Sequence, residues 1–249
     1  ADESSRKRRV DSVRKIRMVD PIAVGDRVHF HDGDGKRGKI TGILPRKNKF
    51  SRRAAGRHEL EQVVVSNIDQ VVPVFAASRP RPSWGMLDRY LVDAEACGLP
   101  SLVCITKNDI ADRDEIERVR RVYSSIGYPV VVTSAVSGEG IDELKSRLGG
   151  KLVVLTGKSG VGKSSLINAM QPGMDLRTQS VLTGKIGKGR HTTTHIELHE
   201  LDFGANIIDT PGIRELGIWN EGCRRIDELF PEMRVLREGC GYQDCKHVV

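Results

Sequence analysis

From residue 69 to about 156 the chain alternates short apolar runs with longer stretches whose apolar residues recur every three or four positions. The runs VVPVFAAS, SLVCIT, YPVVVTSA and KLVVLTG lack the in–out alternation of a half-exposed strand, so they read as strands buried on both faces. Between them MLDRYLVDAEACG, DEIERVRRVYSSIG and IDELKSRLGG carry the period of amphipathic helices. That succession predicts a mostly parallel sheet covered by crossover helices. Two more strand candidates follow, HTTTHIELHEL and ANIIDTPG, the second with the apolar run of a central strand.

The flanks are patterned differently. VGDRVHF, GKITGIL and EQVVVSNI are short β-like runs broken by the turn signals HDGDG and LPRKN, which predicts a small OB-like barrel over 21–68. Residues 1–20 are polar and basic (Arg6, Lys7, Arg8, Arg9, Arg14, Lys15, Arg17) with no clear period, and read as a mobile arm. After 217 a short helical piece in CRRIDELF leads to GCGYQDCKHVV. The expected division is an arm (1–20), an OB-like domain (21–68), an α/β domain (69–216) and a C-terminal segment (217–249).

Composition narrows the function classes. At 38% apolar residues, with short apolar stretches such as VVPVF, nothing in the 249 residues is long enough for a membrane span or an export signal. Five cysteines, an odd number in a charged chain, point to a reducing compartment, and the cytoplasm is the expected location. Because the chain begins with Ala1 rather than Met, a preceding segment is expected. Net charge is +7, which favours a polyanionic partner. The charge concentrates at 36–57, where Lys36, Arg37, Lys39, Arg46, Lys47, Lys49, Arg52, Arg53 and Arg57 stand with no acidic residue. Alone such a run is a solvated face; in an OB-like barrel it reads as a phosphate-tracking groove with Phe50 as a stacking platform. With aromatics at 4%, binding should be backbone-led and salt-sensitive.

Chemistry enters at GKSGVGKSS. Gly157, Lys158, Ser159, Gly160, Val161, Gly162, Lys163, Ser164 and Ser165 match the P-loop pattern, between the strand KLVVLT and the helix SSLINAM. The glycines let successive N–H groups turn toward phosphates at the positive end of the helix. Lys163 would neutralise the β and γ phosphates, and Ser164 would give its hydroxyl to Mg²⁺. Three further loops choose the base and the metal. In TKND (Thr106, Lys107, Asp109) the Asp109 carboxylate can accept two hydrogen bonds from guanine, a pairing adenine does not offer, while the Lys107 stem lies over the base. In TSA the loop residues Ser134 and Ala135 follow a strand, and the Ala135 N–H can meet the guanine carbonyl. In DTPG, Asp209 can hold Mg²⁺ through water and Gly212 can offer its N–H to the γ phosphate. All these loops fall at strand C-termini, where such sheets bind ligands. GTP is therefore the expected nucleotide.

The order TKND, TSA, P-loop, HTTT, DTPG is a circular permutation of a Ras-like domain. Motifs in this order, with VGDRV before them and CGYQDCKH after, make the chain resemble the RsgA/YjeQ family of circularly permuted bacterial GTPases, which act in late small-subunit maturation. The likeness covers nearly the whole chain, including GKGRHTTTH and DTPGIRELG. It implies an N-terminal OB domain, a permuted G domain, a C-terminal zinc domain, and hydrolysis of GTP to GDP and phosphate stimulated by the 30S subunit. 16S rRNA is the implied partner, and the chain is expected to act as a monomer. Ile213 stands where Ras-like proteins carry a water-orienting glutamine, and the family's switch I histidine maps onto His191, which with Lys163 and Gly212 forms the expected catalytic set. A loop histidine touching RNA is the plainer reading of His191. Thr193 is the expected Mg²⁺-sensing threonine, with Thr192 and Thr194 as open alternatives. Cys240, Cys245 and His247 form C-x4-C-x-H, suited to structural Zn²⁺. The family's fourth ligand lies beyond Val249, so a truncated zinc segment is expected. A rival reading is an RNA-binding assembly scaffold that keeps GTP only as a structural or regulatory ligand; a third is an ATP-dependent RNA enzyme, against which Asp109 speaks.

Overall fold

The structure is a computed structural model that describes residues 22–33, 38–54, 57–174, 176, 197–209 and 225–241. The arm at 1–20 lies outside the described residues. Two antiparallel pairs come first: β1 (Val28–Asp32) with β2 (Gly38–Ile43), and β3 (Lys49–Ala54) with β4 (Arg57–Ser66). Among the described residues these are separate sheets, and the lead-in to β1 touches β4 through the parallel bridge Val24–Val65.

The main sheet follows as predicted. Its strands are β5 (Gln70–Ala76), β6 (Val103–Thr106), β7 (Val130–Val132), β8 (Leu152–Thr156), β9 (Glu197–Glu200) and β10 (Asn206–Asp209), in the order β7-β6-β5-β8-β10-β9. Every neighbour is parallel except the antiparallel edge pair β9–β10. Cutting the connection before β8 and joining β10 to β5 would restore a P-loop-first order with all strand neighbours unchanged. The permutation read from the motifs is therefore compatible with an intact sheet.

Strand residues alternate between two helical layers. Val72, Val74, Cys104, Val153, Leu155 and Ile207 face α3 (Ile141–Leu148) and α4 (Lys163–Met170). Phe75, Val103, Ile105 and Val130 face α1 (Trp84–Ala96) and α2 (Arg113–Ser125). Burial on both sides is why these strands read as continuous apolar runs. The helices are placed by their own sequences. The Asp112 carboxylate caps α2 by accepting from the N–H groups of Asp114 and Glu115, and Ile116, Val119 and Tyr123 bury one stripe.

Two sequence expectations change here. Phe50 is not a stacking platform: it is 1% exposed, packed with Val65, Ile68, Val71, Ala94, Val154 and Ile208. The run at 49–54 is a strand whose alternation turns this ring inward, where burying it is worth about 2–3 kcal/mol. The exposed aromatic of this region is Phe30 on β1. Arg46 is likewise no phosphate contact, since its guanidinium is spent inside the fold. Near the end of the described chain, the helical turn Ile226–Leu229 was foreseen, but α5 (Pro231–Arg237) was not. Its Val235 and Leu236 are exposed, so no apolar stripe announced it.

A polar network fastens the lead-in to β1, the β2–β3 connection and the end of β4 to one another. Arg46 Nε and Nη2 donate to Asp26 Oδ1 and Oδ2 at 2.7 Å each, Ser66 Oγ donates to Oδ1 at 2.6 Å, and Ala23 N–H donates to Oδ2 at 2.8 Å. The Asn48 side chain spans the Ile68 backbone, donating to its carbonyl and accepting from its N–H. Asn67 takes the left-handed conformation asparagine tolerates, at φ 55°, and ties Gly25 to Lys47. Burial raises the Asp26 pKa, but its partners more than reverse this and hold it at about 2, below the ordinary 3.8. A depressed carboxylate stabilises fully above its unfolded pKa and loses that contribution as pH falls through the folded one. Wild-type stability should therefore drop between pH 4 and 2. Asp26→Asn should cost about 3 kcal/mol at neutral pH and flatten that acid slope, read from urea midpoints; a midpoint like the wild type at pH 7 would dismiss the network.

Candidate nucleotide site

The loop between β8 and α4 is shaped by its glycines and its neighbours. Gly157 adopts φ 147°, and a Cβ there would stand 2.3 Å from the Val74 carbonyl on β5, so a side chain would force the loop off the sheet. Val161 points its side chain into the core. Gly162 caps α4 in the left-handed conformation. Lys158 and Ser159 are exposed, while Ser164 and Ser165 are half-buried in the first turn of α4.

Lys163 is 9% exposed and its ammonium donates to the carbonyls of Gly157 (2.8 Å) and Lys158 (3.3 Å). Burial pulls its pKa below the lysine norm, opposed by the Asp209 carboxylate. The parallel register of β10 on β8 pairs Asp209 with Leu155, which sets the end of β10 beside the start of the P-loop. A hydroxyl at 164 and a carboxylate at 209 are hard oxygen donors of the kind Mg²⁺ takes.

The TKND loop leans on the P-loop. Thr106 Oγ1 donates to the Val161 carbonyl at 2.5 Å, and Lys107 Nζ donates to the carbonyls of Gly160 (2.7 Å) and Arg79. Lys107 pays for this reach with a left-handed backbone, φ 61° and ψ 40°, a strained state for a lysine. Burial lowers its pKa, against the pull of Asp109. Asp109 is exposed, and its Oδ1 accepts from Ser134 Oγ at 2.6 Å. Ser134 Oγ in turn accepts from the N–H groups of Val136 and Ser137, both at 3.2 Å. Ala135 is exposed at this turn, and its N–H is bonded to nothing among the described residues.

Thus Thr106, Lys107, Asp109, Ser134, Ala135, the P-loop and Asp209 all stand at or just after the C-terminal ends of β6, β7, β8 and β10, on one side of the sheet. His191, Thr193 and Gly212 lie outside the described residues. So do Cys245 and His247; Cys240 is half-buried after α5. The Thr106 tether to Val161 and the contact of the Glu139 carboxylate with Asn108 are foretold by no motif.

The RsgA GTPase family model matches residues 43–219. The small ribosomal subunit biogenesis GTPase RsgA of Gemmatimonas aurantiaca is 44% identical over 92% of this chain and 75% of its own length. The protein of that name from Porphyromonas gingivalis is 39% identical over 94% of this chain and 77% of its own. Among solved structures, YjeQ from Thermotoga maritima aligns with a TM-score of 0.67 at 37% identity, covering 91% of this chain and 73% of that one. YloQ, described as a circularly permuted GTPase, aligns with a TM-score of 0.66 at 30% identity, covering 90% and 69%.

Proposed function

The chain belongs to the RsgA GTPase family, and from that membership we infer a GTP-hydrolysing P-loop enzyme of small-subunit biogenesis. The observation that carries the reading is the joint arrangement of Lys163, Asp209, Lys107 and Asp109 on one side of the sheet. In the mechanism we propose, the P-loop amides and Lys163 hold the β and γ phosphates while Asp109 and the Ala135 N–H select guanine. Ser164, Asp209 and Thr193 would hold Mg²⁺, which when bound offsets phosphate charge. His191 orients the attacking water in place of the glutamine replaced by Ile213, and the Gly212 N–H meets the γ phosphate. The imidazole needs no strong basicity for this, since phosphoryl transfer requires placement more than early proton removal.

The remaining assignments rest on pattern and likeness. Residues 21–68 form an OB-like module that tracks 16S rRNA on the 30S subunit, using exposed Lys39, Lys47 and Phe30. Residues 69–216 are the G domain. In 217–249 the two thiols of Cys240 and Cys245 and the imidazole of His247 suit Zn²⁺, completed by a further ligand. The protein works as a cytoplasmic monomer. Among the described residues no helix is long and apolar enough to cross a membrane.

His191→Ala separates an enzyme from a scaffold that merely carries nucleotide. With 30S subunits present, single-turnover phosphate release should fall about 100-fold with GTP affinity within two-fold of wild type. Unchanged release would remove His191 from the mechanism.

A further inference from the structure

The two base-facing loops are joined by a contact that no motif foretells, and we propose that Glu139 is a positioning residue for base selection, acting through Asn108. The proposal rests on the guanine reading above and refines it. Asn108 Nδ2 lies 2.9 Å from both Oε1 and Oε2 of Glu139. A carboxylate is acceptor-only, so the amide must present its donors to it. The backbones are fastened as well: Asn108 N–H donates to the Thr133 carbonyl at 3.1 Å, and Ser134 N–H to the Glu139 carbonyl at 2.9 Å.

Between these fastenings sit the groups that meet the base, Asp109 beside Asn108 and Ala135 beside Ser134. Guanine is a rigid plate, so its carbonyl and its N–H edge need those two groups at one fixed separation. The turn that carries Ala135 has little freedom of its own. Gly138 N–H bonds the Ser134 carbonyl, and Gly140, at φ 69°, runs so close to β7 that a Cβ would stand 2.0 Å from the Val132 carbonyl. The turn is thus anchored to the sheet on one side, and the Asn108–Glu139 pair holds the TKND loop against it on the other. Glu139 sets the spacing without touching the base. The pair is exposed, so its effect is modest.

The test measures GTP, ITP and ATP affinity for wild type, Asn108→Ala, Glu139→Ala, Glu139→Gln and the Asn108→Ala/Glu139→Ala double variant. ITP lacks the 2-amino group and so reports one of the two Asp109 bonds. Each alanine variant should lower the GTP/ITP preference about three- to ten-fold with an unchanged unfolding midpoint. The double variant should be no worse than either single, and Glu139→Gln, which keeps one acceptor oxygen, should fall between. Equal losses for GTP and ITP, or additive effects, would make Glu139 a merely structural residue and overturn the proposal. A wild type that prefers ATP would overturn the guanine reading itself and this inference with it. A wild type that prefers GTP, with an unaltered ratio in the variants, would sink the clip alone.

Discussion

Asp109→Asn is expected to weaken GTP binding about 100- to 10,000-fold and to make XTP the preferred nucleotide. The wild-type carboxylate accepts from both the ring N–H and the 2-amino group, and each charge-assisted bond is worth about 1.5–3 kcal/mol. An asparagine keeps one acceptor and turns a donor toward the amino group, so one bond weakens and the other becomes a donor-to-donor contact. Ser134 fixes which way the amide lies. Its hydroxyl now donates to Asp109 Oδ1 at 2.6 Å, so the amide oxygen would take that place and Nδ2 would face the base. Xanthine carries a carbonyl where guanine has its amino group, and that carbonyl accepts from Nδ2. Competition of GTP and XTP against a labelled nucleotide reads the swing directly. An Asp109→Asn protein that still prefers GTP would mean that the base lies elsewhere.

The centre of the sheet was legible because its strands are buried on both faces. VVPVF, LVCIT and KLVVLT could hardly be surface, and the helices between them carried clean periods. The site was legible for a different reason: phosphate and guanine recognition use short contiguous loops, so Lys163, Asp109 and Asp209 announce themselves in sequence and the sheet then brings the loops together. What was not legible depends on contacts between distant residues. Phe50 sits in a run of positive charge, and only the pairing of β3 with β4 shows that it faces Val65 and Ile68 rather than solvent. Arg46 looked like its basic neighbours until Asp26, 20 residues away, claimed it. The Thr106 tether to Val161 joins residues 55 apart and leaves no trace in spacing. Helix α5 buries none of its residues, so periodicity had nothing to report.

Ribosome dependence follows from the same chemistry. In the mechanism proposed above His191 stands in for the glutamine replaced by Ile213, and a lone imidazole is a poorly preorganised catalyst that an external partner can complete. In GTPases completed from outside, supplying the missing order or charge is worth about 10³ to 10⁵ in turnover. In the reading proposed above, exposed Lys39 and Lys47 help dock the chain on the particle that would supply it. Phosphate release from GTP should therefore be slow for the protein alone and rise at least about 100-fold with purified 30S subunits, with 50S subunits as control giving no comparable increase. The decisive measurement is that comparison at one salt concentration with GTP saturating. Stimulation by 30S alone is the predicted result; tight GTP binding with a rate indifferent to 30S would contradict a ribosome-coupled GTPase.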